Sequence, residues 1–206
     1  MTPASYPEQA AALCRVARLF GERRWCMATS GNFSARVDET HCLITQSGRD
    51  KAGLSPDDLM VCDLDGNAVD EAAKPSAETP VHTMLYRLDG NVGAVLHTHS
   101  VTATVLSRAL GDELAVDGFE MQKALGVASH QDSVRLIVFD NNQDMPALAD
   151  GIAAAWRMDR FEVPALLIRG HGVYAWGGDL AAAQRHVEGV EFLLECVWQE
   201  TLAKTR

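Results

Sequence analysis

Residues 94–103 read AVLHTHSVTA, an apolar run that ends in His97 and His99 with one residue between them. A short apolar run next to a glycine is the pattern of a buried strand, here Gly93 to His97. Side chains alternate along a strand, so His97 and His99 point the same way, about 7 Å apart. Imidazoles set like this can converge on one cation at about 2.1 Å each. Two donors do not make a tight site, so a third is expected from elsewhere in the chain.

Working outward, helical spacing marks Thr79 to Arg87 before this strand and Val101 to Leu110 after it. Towards the N-terminus, Ser5 and Glu8 have capping-box spacing, with Pro7 in the first turn. Leu13, Cys14, Val16, Ala17 and Phe20 then recur as one helix face. Phe33 to Val37, His41 to Thr45 and Met60 to Leu64 alternate as strands, and Asp65-Gly66 is a tight-turn signal between strands. Towards the C-terminus, Arg135 to Phe139 predicts a strand and Pro146 to Trp156 a helix. Pro164 to Ile168 and Gly172 to Trp176 predict a paired strand unit, and Asp179 caps a long helix running to about Ala203. Strands and helices alternate irregularly and several strands are hairpin-linked. That predicts an α/β chain with a mixed sheet covered by helices on both faces. No repeat or linker interrupts residues 1–206, so a single domain is expected.

The net charge is −10 and the chain holds 28 acidic against 18 basic residues, which argues against a nucleic-acid or anionic-membrane surface. An anionic small molecule remains compatible, because local amides and basic groups hold phosphates on acidic proteins. The first residues, MTPASYPEQA, lack a basic stretch followed by an apolar one, and no apolar run spans a bilayer; a cytoplasmic chain is expected. Five scattered cysteines without a CxxC pair read as reduced thiols.

His171, in LLIRGHGVYAWG (residues 166–177), is the best third donor. It too ends an apolar strand, and Gly170 and Gly172 beside it permit close backbone approach. Three neutral imidazoles leave a zinc ion its charge and open positions, the pattern of a catalytic rather than a structural site. His41, His82, His130 and His186 have no such setting, although His82 lies four residues after Glu78. Two Ser-Gly turns, TSGNFSAR (29–36) and TQSGRDKAG (45–53), and the helix-opening KPSAET (74–79) offer amides and hydroxyls for an anion.

Taken together, TSGNFSAR, TQSGRDK, KPSAET, AVLHTHS and RGHGVYAWG resemble, in order and rough spacing, the class II aldolase superfamily. The resemblance covers nearly the whole chain. Within it the segments SGRDKAGLSPDD (47–58), FEMQKALG (119–126) and NNQDMPALA (141–149) are similar to the superfamily's dehydratase branch. The resemblance implies a three-layer α-β-α fold with a mostly antiparallel central sheet. It implies one Zn2+ per subunit held by His97, His99 and His171, and a homotetramer with active sites at subunit boundaries. The implied reaction is dehydration of a methylthio-substituted ketose phosphate to a diketone in methionine salvage. Matching positions imply phosphate or substrate contacts at Gly31, Asn32, Ser47, Gly48 and Ser76, with Lys51 and Lys123 as charge partners.

Two glutamates compete for the proton-transfer role. Glu78 stands where sugar-phosphate aldolases of the superfamily keep their acid/base. Glu120 stands near the dehydratases' equivalent, and the resemblance favours Glu120 as catalytic with Glu78 as a substrate or metal neighbour. The rival readings are a fuculose- or rhamnulose-phosphate type aldolase using Glu78, and an adducin-like scaffold without a working metal site.

Overall fold

The structure is a computed structural model that describes residues 1–204. Eight strands form one sheet: β1 (Asn32–Arg36), β2 (His41–Thr45), β3 (Leu59–Asp63), β4 (Ala94–Thr98), β5 (Glu113–Val116), β6 (Val134–Phe139), β7 (Ala165–Ile168) and β8 (Gly172–Gly177). Their order across the sheet is β3-β2-β1-β4-β8-β7-β6-β5. Only the β6–β7 pairing is parallel; the other neighbours run antiparallel. The expected mixed, mostly antiparallel sheet is therefore what forms.

Among the described residues five α-helices cover it: α1 (Pro7–Glu22), α2 (Thr79–Leu88), α3 (Val101–Ala109), α4 (Met145–Arg157) and α5 (Leu180–Lys204). The period-two pattern of the strands sorts their side chains into two cores. On β4, Ala94 and Leu96 join a core with residues of α1, α3 and α5, while Val95 joins a second core with α2 and α4. On β8, Val173 and Ala175 follow the first set, and Tyr174 and Trp176 the second. β4 and β8 are central neighbours buried on both faces. Polar groups at their ends are thus held by a stiff, dry scaffold.

Two local expectations differ from the structure. Ser5 does not cap α1: residues Pro3–Ser5 form a separate 3-10 turn, and Tyr6 precedes the helix without a side-chain cap. Asp65-Gly66 turns the chain after β3, but only a single bridge, Cys62 to Ala68, follows it. Asp179 does cap α5, accepting from the Ala182 amide at 2.7 Å. β5 and the 3-10 turn Glu120–Leu125 are elements the sequence pattern did not reveal.

Candidate metal centre and anion pocket

His97, next to last on β4, pairs with Tyr174 of β8, and the registry sets its ring flat against that phenol, centroids 3.9 Å apart at 12°. Its Nδ1–H donates to the Val173 carbonyl at 2.8 Å. That bond fixes the tautomer and leaves the Nε2 lone pair facing outward. His99 lies just past the strand, where its amide donates to the Trp25 carbonyl at 2.7 Å. His171 sits in the β7–β8 turn, and α3 ties that turn down. Thr104 Oγ1 donates to the His171 carbonyl, and the Gly170 amide donates to Ser107 Oγ. Gly172 is required here: a Cβ on it would stand 1.9 Å from the Thr98 carbonyl oxygen.

The three rings meet. The His97 and His99 Nε2 atoms are 2.7 Å apart, and those of His97 and His171 3.4 Å. Tetrahedral zinc with bonds of about 2.1 Å puts its nitrogen donors about 3.4 Å apart. Glu78 adds Oε1 at 3.0 Å from His171 Nε2 and 3.3 Å from His97 Nε2. One donor atom from each of Glu78, His97, His99 and His171 lies within 4.8 Å of the others. Lone pairs pointed at one another repel unless a proton or a cation lies between them, so this donor set fits a divalent metal.

Electrostatics favour the same arrangement. Burial works to raise the Glu78 pKa, but the neighbouring charges and hydrogen bonds of His97 and His171 outweigh it and hold the carboxyl well below its ordinary range. Burial, reinforced by His97 and His171, pushes His99 down to about 3, so it stays neutral and able to ligate. Glu78 precedes α2 without capping it, because its carboxylate is turned into the cluster.

Beside the imidazoles lies a cavity of about 220 Å³. Gly31, Asn32, Ser47, Gly48, Lys51, Ser76 and Glu78, all singled out from the sequence, line it together with His99. Gly31 has φ +75°, and a Cβ there would lie 2.7 Å from the His97 carbonyl oxygen. Lys51 is 1% exposed; its Nζ donates to the Thr29 and Arg49 carbonyls, which leaves one N–H for the cavity. Burial lowers its pKa, partly offset by nearby acidic groups. Ser30 Oγ, also lining the cavity, is buried without a partner. A built pocket with a spare ammonium hydrogen and an orphan hydroxyl suits an anion.

Two of the singled-out residues lie elsewhere within the single chain. Glu120 opens the 3-10 turn with its side chain 69% exposed, paired with Lys123 Nζ at 2.6 Å and His130 Nδ1 at 3.1 Å. The Lys123 hydrogen bond lowers its pKa. Neither Glu120 nor Lys123 lines the cavity. Conversely, sequence reasoning gave no role to Tyr174, which stacks on His97, or to Glu191, which accepts from Thr98 Oγ1 at 2.7 Å behind the metal ligands. Glu191 had a signal: it interrupts the apolar stripe of Val187, Val190 and Leu194 on α5.

Comparison with known proteins gives consistent results. Residues 11–198 match the family of class II aldolase and adducin N-terminal domains. A methylthioribulose-1-phosphate dehydratase of Yersinia enterocolitica is 48% identical over 196 residues, 94% of this chain and 93% of that protein. The like-named protein of Pectobacterium atrosepticum is 47% identical over 203 residues, 97% and 98% of the two chains. Among solved structures, an L-fuculose-1-phosphate aldolase from Thermus thermophilus superposes with a TM-score of 0.77 at 29% identity, covering 95% of this chain and 96% of that one.

Proposed function

This chain belongs to the class II aldolase and adducin N-terminal family, and from that premise we propose that it is a hydro-lyase that dehydrates 5-methylthioribulose 1-phosphate to 2,3-diketo-5-methylthiopentyl 1-phosphate in methionine salvage. The observation that carries the choice of reaction is the identity of nearly half to dehydratases over almost the full length of both chains.

The residues divide the work as follows. Ser30, Ser47 and Ser76 hydroxyls, the turn amides at Gly31 and Gly48, and the Lys51 ammonium hold the phosphate in the cavity. That places the adjacent ketone beside His97, His99 and His171. A zinc ion held by these three supplies a Lewis acid for the carbonyl oxygen and its developing negative charge. Glu78 and Asn32 orient the substrate hydroxyls at this mouth. Loss of the C3 proton and the C4 hydroxyl removes one water, with Glu120 delivering the proton to the leaving hydroxyl. The enol then takes a proton at C4 and becomes the second ketone.

Glu120 is exposed in the single chain, so this role needs a neighbouring subunit. Exposed Met121 and Phe192, which line one cavity with Trp25, support burial of that face in a homotetramer with sites at subunit boundaries. A cytoplasmic setting accords with five unpaired cysteines; among the described residues no helix is long and apolar enough to cross a membrane.

Glu78 within the cluster is the observation that favours the aldolase alternative. Incubation with methylthioribulose 1-phosphate, with and without a chelator, decides between them. Diketone formation abolished by the chelator supports the dehydratase; aldehyde and dihydroxyacetone phosphate as products sink it. Glu120→Gln is expected to lower turnover by about 10² to 10⁴ with zinc content unchanged; turnover within a few-fold of wild type removes Glu120 from the mechanism.

A further inference from the structure

Behind Glu78 a chain of buried polar side chains runs into the core beneath α2. Asn32 Nδ2 donates to Glu78 Oε2, and its Oδ1 meets His82 Nε2. His82 Nδ1 lies 2.7 Å from Ser34 Oγ, and Ser34 Oγ 2.7 Å from the Tyr86 hydroxyl. His82 and Ser34 are fully buried, Tyr86 is 2% exposed and Asn32 3%. Neither the sequence spacing nor the phosphate pocket accounts for this chain. Glu78 and His82 stand four residues apart in the chain, and the structure links them through Asn32.

The direction of the hydrogen bonds follows from Asn32. Its amino nitrogen faces Glu78 Oε2 and its carbonyl oxygen faces His82 Nε2. An amide oxygen only accepts. His82 must then carry its proton on Nε2 and accept at Nδ1. Ser34 donates to that nitrogen, and Tyr86 donates to Ser34. Reversing the Asn32 amide would set its carbonyl against a carboxylate and leave its amino group facing an imidazole donor. In a buried network each such mismatch is costly, so one end fixes the other.

Resting on the reading of this site as a dehydratase centre, we propose that His82 is a positioning residue: its Nε2–H locks the Asn32 amide so that Asn32 holds the Glu78 carboxylate at a fixed place beside the three imidazoles. His82 touches neither substrate nor the metal donors. It acts through Asn32, and Ser34 and Tyr86 serve as its backing. A Gln at position 82 offers the same pairing, an N–H toward Asn32 and a carbonyl toward Ser34. Phe matches the ring but offers neither.

The test uses the full-length protein and three measurements. Nitrogen-15 NMR of labelled histidine should show the Nε2–H tautomer for His82, assigned by its loss in His82→Gln. His82→Phe should lower kcat, or weaken the affinity for zinc measured by chelator competition, on the order of 10- to 100-fold. KM for methylthioribulose 1-phosphate should move less than about 3-fold, since Ser30, Ser47, Gly48 and Lys51 of the phosphate pocket are left in place, and His82→Gln should restore most of the loss. An Nδ1–H tautomer overturns the proposal. So does a His82→Gln protein, folded by circular dichroism, that is as impaired as His82→Phe, or a His82→Phe protein equal to wild type in both kcat and zinc affinity. If wild type fails to dehydrate the substrate while His82→Phe weakens zinc binding and His82→Gln restores it, the positioning role stands and the reaction assignment falls. Should His82→Phe not fold, the tautomer and the His82→Gln measurements still decide the matter.

Discussion

Two glutamates are packed against opposite faces of the same strand end, and the protein shifts their acidity in opposite directions. Glu78 reaches the α2/α4 face beside His97, with its side chain 14% exposed. Glu191 comes from α5 to the other face, 4% exposed, and accepts a hydrogen bond from the hydroxyl of Thr98, the residue between the two histidines. Burial raises both pKa values. Around Glu78 the imidazoles of His97 and His171 outweigh it and hold the carboxyl below its ordinary range. Around Glu191 burial is only partly countered by the Ser100 and Thr98 hydroxyls, Glu195 adds repulsion, and the carboxyl rises to about 7. Depth therefore does not decide charge here; the partners do. One carboxylate faces the imidazole cluster, and the other accepts from the strand that carries His97.

The comparison breaks most visibly at Glu78. Glu78→Gln keeps size and hydrogen-bonding capacity but removes the charge that faces His97 and His171. Turnover should fall about 10²-fold, worth about 3 kcal/mol of barrier, with melting temperature nearly unchanged. Steady-state kinetics beside a thermal melt measure both. A variant within 3-fold of wild type would mean that the ionised carboxylate has no part in the reaction.

Glu191→Ala should do the reverse. It leaves Thr98 Oγ1 without its acceptor and opens space between α5 and β4. An unpaired buried hydroxyl plus a cavity costs roughly 3 kcal/mol. Urea unfolding at pH 6 should show a lower midpoint with an unchanged slope. Activity of the folded fraction should change far less than in Glu78→Gln. A loss under about 1 kcal/mol would show that α5 does not depend on this clamp.

The same contrast explains what could be read from the sequence. His97, His99 and His171 stood out because imidazoles at the ends of apolar runs have few structural uses, and the Ser-Gly turns stood out because their glycines answer to backbone geometry, as Gly31 does. The central strands were legible as apolar runs and the outer ones by alternation, whereas β5 alternates over only four residues, two of them exposed, and was too short and too wet to register. Glu191 and His82 could not be given roles for a different reason. Each is a single polar residue on an apolar helix stripe, and its meaning depends on a partner far along the chain: Thr98 is 93 residues from Glu191, and Asn32 is 50 from His82. Sequence periodicity reports which face is buried but not what waits there.

The finest test of the comparison is the pH dependence of Glu191→Gln. The folded pKa of Glu191, about 7, lies above its ordinary 4.5, so the folded protein binds this proton more tightly than the unfolded chain. The resulting stability is fully present below about pH 4.5 and is lost as pH rises through about 7. At about 1.4 kcal/mol per unit, and allowing for relaxation around the buried charge, wild type should give up about 2 kcal/mol by pH 9. The groups lining the cavity beside Glu191 include Arg23, Arg185, Glu188 and Glu195, and the variant keeps all of them. Gln still accepts from Thr98 and has no proton to lose. The two proteins should therefore be close in stability at pH 5, and the variant should be the more stable at pH 9. Parallel stability curves from pH 5 to 9 would mean that Glu191 is ionised throughout, held like Glu78 by its partners, and the contrast between the two faces of β4 would disappear.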